Sequence, residues 1–570
     1  MANPSSRLTK VCGADIELSN FILGFDRPGG TGYEASRALL REIDGLPRAW
    51  VRPYAYAADA WGSWDSRDRS AAWDRDSTWR SAYDEQDWGR KFLPTNGGCV
   101  YIDLDHLELC LPEVRSAWDH VAAWHAMLRV ARQALEAANA HQPPGRKIQA
   151  LVNNSDGQGN SYGSHLNFLI TRRAWDDLFT RKLHQLQYLA TFQVSSIVLT
   201  GQGKVGAENG TPPAAYQLSQ RADFLETLSG IQTTSRRPIV NSRDEPLCGW
   251  LPLAGDGGAP ARLHVICFDN TLAHGSSLLK VGTMQVMLAM IEAGRMDPSL
   301  ILDDPVEAVV RFSHDPSLQA KAPLASGRPA GAVELQRRFL DAAVRFAASG
   351  GLDDVVPRAP EILAFWEDTL VKLEARDLAA LAPRLDWVLK LQMLERAMRQ
   401  GPELEWESSQ VKLLDHLYSS LALDDGLYWA YERGGFTERL VTEEEIQKFL
   451  VEAPADTRAW TRAKLLQSAP PESVESVDWD SITFNFRGRG YWPVRRTVTM
   501  GNPLAFTKAE MAPLFGRAES VDQWLDAVEA SGERSGEGAP GDPPGLAACR
   551  PPLPWTDSSP VERSRCHEIP

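Results

Sequence analysis

Asp15-Ile16-Glu17 and Asp103-Leu104-Asp105-His106-Leu107-Glu108 set carboxylates on segments that alternate like strands. Residues two apart on a strand share a face, so Asp15 and Glu17 point the same way. Carboxylates on one face repel unless a cation lies between them. A hard divalent ion with oxygen ligands, such as magnesium, answers that repulsion. Asp269 is a further acid on a strand-like stretch. Asp15 and Glu17 alone read as a solvated strand face; with His106, Glu108 and His165 added, the reading shifts toward metal.

The run from Asn153 to Phe168 is an unbroken series of hydrogen-bonding and turn-forming side chains that closes in His165-Leu166-Asn167. By composition it is too polar for a core. Its glycines let the backbone approach a ligand closely, and polar residues at a strand exit are where sites are commonly built. Opposite charge gathers in Ser235-Arg236-Arg237-Pro238-Ile239-Val240-Asn241-Ser242-Arg243, and arginine forks match phosphate oxygens. Gly201-Gln202-Gly203-Lys204-Val205-Gly206 is a glycine-basic turn without the Walker pattern. Acids for magnesium and arginines for phosphate make ATP–Mg the simplest single ligand that accounts for both.

The elements that must carry these residues follow from periodicity. Strands are predicted at 11–23, 99–103, 149–152, 196–200 and 263–268. Helices are predicted at 112–140, 278–292, 332–348, 360–375 and 383–400. Thr442-Glu443-Glu444-Glu445 reads as a capped helix start, and 477–486 with 491–500 as a hairpin. Residues 1–10 read as weakly held. Between about 26 and 96, Trp50, Trp61, Trp64, Trp73, Trp79 and Trp88 lie among Asp, Arg, Ser and Gly. A lid over a site and a loop packed by its own aromatics are both readings of that segment. Past about Ser531 the composition is that of a disordered tail.

The 570 residues are 43% hydrophobic and 24% charged, which suffices for a sizeable core. A formal net charge of -15 argues against a nucleic-acid partner. Seven cysteines without a CxxC pair indicate neither a disulfide framework nor a zinc knuckle. With no signal-peptide pattern and no bilayer-length apolar run, a reducing cytoplasm and no membrane partner are expected.

At this point the motifs resemble a known family. Gly13-x-Asp15-x-Glu17, Tyr101-Ile102-Asp103, His106-x-Glu108, the 153–168 run, Leu218-Ser219-Gln220-Arg221-Ala222, the 237–246 stretch, Leu279-Lys280-Val281-Gly282, Thr457-Arg458-Ala459 and Val477-Asp478-Trp479 occur in order. They are similar to the enzymes that attach or remove Pup, the small bacterial protein tag of the proteasome system. Those enzymes are relatives of glutamine synthetase. The resemblance implies an α+β fold, with a curved antiparallel β-sheet cradle backed by helices and a smaller C-terminal α/β domain. It implies a catalytic domain over 1–434 with the 26–96 insertion, a small domain over 435–530 and a tail over 531–570. The same resemblance implies ATP and Mg2+ as cofactors, and a Pup-like tag, tagged proteins and proteasome-system components as partners. Asp103 would be catalytic. Tyr101, Lys204, Arg237, Arg243, Arg458 and Trp479 would hold nucleotide, and Asp15, Glu17, Glu108 and His165 the metal.

Within that family the long segment between Asp15 and Asp103 and the Asp103-x-x-His106 spacing resemble the depupylases, which cleave the isopeptide bond between tag and lysine. Departures from the family pattern also stand out. Asp15 replaces a Glu, Cys99 an Arg, Leu166 a Glu, and His274 an acid. Hydrolase, ligase and a catalytically weakened homologue are the three readings these residues leave.

Overall fold

The computed structural model describes residues 8–26, 30–47, 88–245, 247–248, 259–401, 403–486 and 494–531. Most of the Trp-rich insertion and nearly all of the expected tail lie outside the described residues.

The long strand β1 (Cys12–Leu23) organises the molecule. It runs antiparallel to β5 (His106–Cys110), which pairs with β4 (Cys99–Asp103) through a two-residue turn at Leu104-Asp105. Outward from β4 follow β3 (Trp88–Phe92) and β2 (Leu46–Pro47). On the other side β1 pairs with β7 (Ser164–Thr171), and β7 with β8 (Pro260–Val265). β6 (Lys147–Leu151) completes an eight-stranded sheet by pairing with the C-terminal half of β1.

Alternation sorts the two faces. Ala14, Ile16 and Leu18 of β1, Val100 and Ile102 of β4, and Leu107 and Leu109 of β5 enter one large core. Helices α1 (Gly32–Arg41), α2 (Ala117–Ala140) and α3 (His274–Glu292) contribute to that same core. The α2 residues Trp124 and Met127 are fully buried there. The intervening residues of the same strands, among them Asp15, Glu17, Tyr101, Asp103 and Glu108, lie on the opposite face.

A second core covers one end of that opposite face. Phe92, Cys99, Tyr101 and Cys110 pack there with Ile482, Phe484, Val498 and Trp524 from the C-terminal segment. That segment holds a three-stranded antiparallel sheet of Val474–Val477, Ser481–Phe486 and Val494–Thr499. The helix Glu443–Val451 starts at the capping box expected at Thr442, and its Ile446 and Phe449 belong to the large core.

Three expectations need correction. Residues 196–200 are helical, not a strand: Ile197–Thr200 continues from the helix Leu183–Ser195. All four side chains are buried, and tertiary burial overrides the β-propensity of Ile-Val-Leu-Thr. Residues 8–10 are firmly held, because Lys10 is buried and paired with Glu292 at 2.7 Å. That partner lies 282 positions away and left no local signal. The helix expected from 112 begins at Ala117, where the Ser116 hydroxyl accepts from the Asp119 amide at 3.0 Å. Among the described residues no helix is long and apolar enough to cross a membrane.

Candidate functional site

Strand register brings the acids together. Asp15 stands opposite His165 on β7 and Cys110 on β5; Glu17 stands opposite Glu108; Glu108 stands opposite Tyr101. One ligand atom each from Glu17, Asp103 and Glu108 lies within 4.8 Å of the others, as do atoms from Asp15, Glu108 and Cys110.

The crowding shows in the proton affinities. Burial, together with the charges of Asp15, Asp103 and Glu17, pushes the Glu108 carboxyl well above its ordinary range, although the Tyr101 hydroxyl donates to it at 2.5 Å. Burial also works against the Glu17 anion. There His165, His106, the Gly163 amide and Arg221 together prevail and hold the group low. Burial, Cys99 and the neighbouring carboxylates keep the Cys110 thiol protonated. The donors left are carboxylate oxygens. An all-oxygen set with surplus negative charge is of the kind that suits a hard divalent ion such as magnesium.

The polar run closes the site from one side. β6 pairs with Ser19–Leu23 and β7 with Cys12–Ile16, leaving Glu17 and Leu18 between them. The run spans that gap: the Glu17 amide donates to the Gly163 carbonyl at 3.3 Å, and the Gly163 amide donates to Glu17 Oε2 at 2.5 Å. A Cβ on Gly163 would lie 2.3 Å from His165 Nε2 and 2.8 Å from Glu17 Oε1, so any side chain here would have to push one of those two groups aside. The expectation that the run is too polar for a core is corrected at its ends. Asn153, Asn154, Ser155, Ser161 and Ser164 are buried, with partners both within the run and elsewhere in the fold. The Asn154 side chain donates to the Tyr162 carbonyl at 2.9 Å and accepts from the Asn270 amide at 2.5 Å.

A basic rim follows. Arg237 donates to the Ser161 carbonyl at 2.5 Å, and buried Arg221 donates to the Tyr162 carbonyl. Arg243 is half-exposed, 3.5 Å from Glu245. Burial first, then Arg221 and Arg243, lower the His165 proton affinity against the pull of Glu17 and Asp15. His165 Nε2 is 3.8 Å from Glu17. On β7 and β8, Asn167 donates to Asp15 at 3.1 Å, while its carbonyl oxygen accepts from Arg262 at 2.7 Å and from His264 at 3.0 Å. Asn167 thereby fixes the orientation of the Asp15 carboxylate.

Three residues singled out in the sequence have extensive protein partners of their own. Lys204 was expected at phosphate. Its ammonium is buried against Glu208 at 2.8 Å and Asp223 at 2.9 Å, where it closes a loop. Arg458 is likewise committed: its guanidinium bonds Glu113 and the carbonyls of Met500, Gly501 and Leu247. Asp269 lies past the end of β8, where its carboxylate accepts from the amides of Gln202, Gln220 and Arg221 and from the Ser219 hydroxyl. Trp479 is half-buried, edge-on to Phe92 at 5.5 Å and with Arg462 4.9 Å from its ring centroid.

Sequence reasoning missed Arg262, His264 and Cys110 as neighbours of the acids, and Arg90, whose guanidinium lies 4.1 Å from the Tyr101 ring centroid. Extending the two-residue alternation along β5 from Glu108 would have reached Cys110. Arg262 and His264 share a face by the same rule, but only the β7–β8 register brings them to Asn167.

The chain matches the family model described as Pup-ligase protein over residues 35–483. It is 37% identical over 438 residues to the Pup deamidase/depupylase of Mycolicibacterium smegmatis, covering 76% of this chain and 82% of that relative. It is 36% identical over 434 residues to the depupylase of Acidothermus cellulolyticus, covering 76% and 82%. It is 34% identical over 426 residues to a Pup–protein ligase of Acidimicrobium ferrooxidans, covering 73% and 88%. The ligase PafA, crystallised in complex with the ubiquitin-like protein Pup, shares the fold at a TM-score of 0.70 and 22% identity, over 94% of this chain and 97% of that one.

Proposed function

This chain belongs to the Pup-ligase protein family, and on that premise we propose that it is an ATP- and magnesium-dependent hydrolase of the isopeptide bond between a Pup-like tag and a substrate lysine. The carrying observation is the convergence of Asp103 with Glu17 and Glu108 on one sheet face. The length of chain between Asp15 and Asp103 and the Asp103-x-x-His106 spacing favour hydrolysis over ligation. The depupylase names of the Mycolicibacterium and Acidothermus relatives point the same way.

Bound magnesium and ATP would supply the positive charge this face lacks and the phosphates that Arg237 and Arg243 can meet. Asp15, Glu17 and Glu108 would hold the ion, with His165 beside them. Asp103 acts at the scissile carbonyl carbon, as nucleophile or as the base that takes a proton from water. As base, Asp103 passes the proton taken from water to the lysine amine as the water oxygen bonds the carbon and the C–N bond breaks. As nucleophile, it forms an acyl anhydride with the tag as the C–N bond breaks; water then hydrolyses the anhydride, restores the Asp103 carboxylate and supplies the amine's proton. On either route the tag leaves as its carboxylate. Tyr101 keeps Glu108 in place through its hydroxyl.

A ligase would use the same face in the other direction, with Asp103 deprotonating the incoming lysine. Incubation with ATP, magnesium and a tagged protein, read by gel shift, separates the two. Loss of conjugate supports the hydrolase, whereas conjugate gained from free tag and an unmodified protein supports the ligase and refutes the hydrolase.

Two further results are expected. Nucleotide affinity measured by calorimetry should depend on magnesium; equal affinity with and without the ion would remove it from the site. Gly163→Ala should weaken magnesium-dependent nucleotide binding about tenfold or more, since groups that orient metal ligands typically matter at that level. The added methyl displaces Glu17 or His165. Unchanged affinity in a folded variant would show that the run does not shape the metal site.

A further inference from the structure

The turn beside Asp103 carries a residue the fold does not favour. Leu104 has φ +56° and is 52% exposed. With Asp105 it joins Asp103 to His106, which face each other in register. A left-handed backbone crowds the Cβ of an L-residue against the following carbonyl, so two-residue hairpin turns favour Asn, Asp or Gly. The conformation is held from below. The Asp105 carbonyl accepts from the Ser36 hydroxyl at 2.7 Å and from the Asn20 side chain at 3.2 Å. His106 donates to the Leu18 carbonyl at 2.9 Å. Stability alone would therefore place a small polar residue at 104. The position instead combines a strained backbone with a large apolar side chain in water, one residue from the acid that does the chemistry. Strain of this kind persists where a site requires it.

We infer that Leu104 is a specificity-determining contact for the aliphatic stem of the substrate lysine, on the amine side of the scissile bond. The inference rests on the hydrolase reading above. The group leaving from an isopeptide carries a long apolar stem between its nitrogen and its backbone. An exposed leucine next to the attacking carboxylate is suited to cover that stem. A tag that ends in glutamine has no such stem, because its leaving group is ammonia. Leu104 should therefore distinguish conjugate cleavage from deamidation.

The test uses the full chain with ATP and magnesium on two substrates, a tag–protein conjugate and a free tag ending in glutamine. Leu104→Asn suits the left-handed backbone and removes the apolar surface; Leu104→Met keeps the surface. With Asn, KM for the conjugate should rise about tenfold relative to KM for the glutamine-ended tag, with the thermal midpoint equal or higher. With Met, the ratio should return toward wild type. An unchanged ratio in Leu104→Asn would overturn the inference. So would a lowered thermal midpoint with both substrates affected equally, which would make Leu104 a packing residue. If wild-type protein cleaves neither substrate, the hydrolase reading itself falls and this inference falls with it.

Discussion

Asp103→Asn should lower turnover by roughly 10²–10⁴-fold, the range associated with a positioned acid–base group, while nucleotide still binds. The amide keeps the shape of the side chain and loses the charge that attack or proton abstraction requires. Folding should not suffer, because Asp103 sits within 4.8 Å of Glu17 and Glu108 and removing a charge from this crowded acidic cluster relieves repulsion. Single-turnover cleavage of a tagged protein and calorimetric nucleotide titration, run on the same preparation, check both halves. Near-normal cleavage by the variant would move the chemistry to another residue.

Glu113→Gln is expected to be among the most destabilising single changes in the protein. Glu113 Oε1 accepts from Arg458 at 2.7 Å, and Oε2 accepts from Arg462 at 2.6 Å. All three residues are buried. Breaking a buried ion pair on one side typically costs about 3–5 kcal/mol, because it leaves uncompensated charge in the interior. The pH dependence has a definite sign. Burial opposes the Glu113 anion, but Arg462 and Arg458 prevail and lower its carboxyl to about 2 in the folded protein, from 4.5 as the ordinary value. A depressed folded value means the contribution is fully present above about 4.5 and is lost as pH falls toward 2. Denaturant unfolding at several pH values should show a large gap between wild type and variant at neutral pH, narrowing below 4.5. A gap that is small throughout, or constant with pH, would refute the assignment.

The sheet face was legible because strand alternation is local. Asp15 and Glu17 could be assigned to one face from spacing alone, whereas Asp103 and Glu108 join them through the register of β1, β5 and β4; the 99–103 strand is found at its predicted bounds. The residues that surround them depend on register between distant strands, which alternation does not encode. Asn167, Arg262 and His264 meet only because β7 pairs with both β1 and β8. The ion pairs of Lys204 and Arg458 were out of reach for a related reason. A basic residue in a glycine-rich turn or a family motif looks free to meet phosphate, and nothing nearby in sequence announces that Asp223 or Glu113 already occupies it. The Ile197–Thr200 segment illustrates the limit of propensity: β-branched residues fold into helix when the preceding helix carries them into the core.

The Glu113–Arg458–Arg462 cluster also bears on the order in which the molecule is made. Arg458 and Arg462 lie 345 and 349 positions after Glu113. The apolar end of the sheet formed by Phe92, Cys99, Tyr101 and Cys110 is covered by residues as late as Trp524. During vectorial synthesis the strands that bear the acids emerge early, yet they present an uncovered apolar edge and an unneutralised Glu113 until nearly the whole chain has left the ribosome. Contacts of such sequence separation form slowly, and the waiting species is the one most exposed to misassociation. Tyr101, whose hydroxyl steadies Glu108, is packed in that late-closing core, so the acidic face is completed last and a nascent chain stays incomplete until its C-terminal segment arrives.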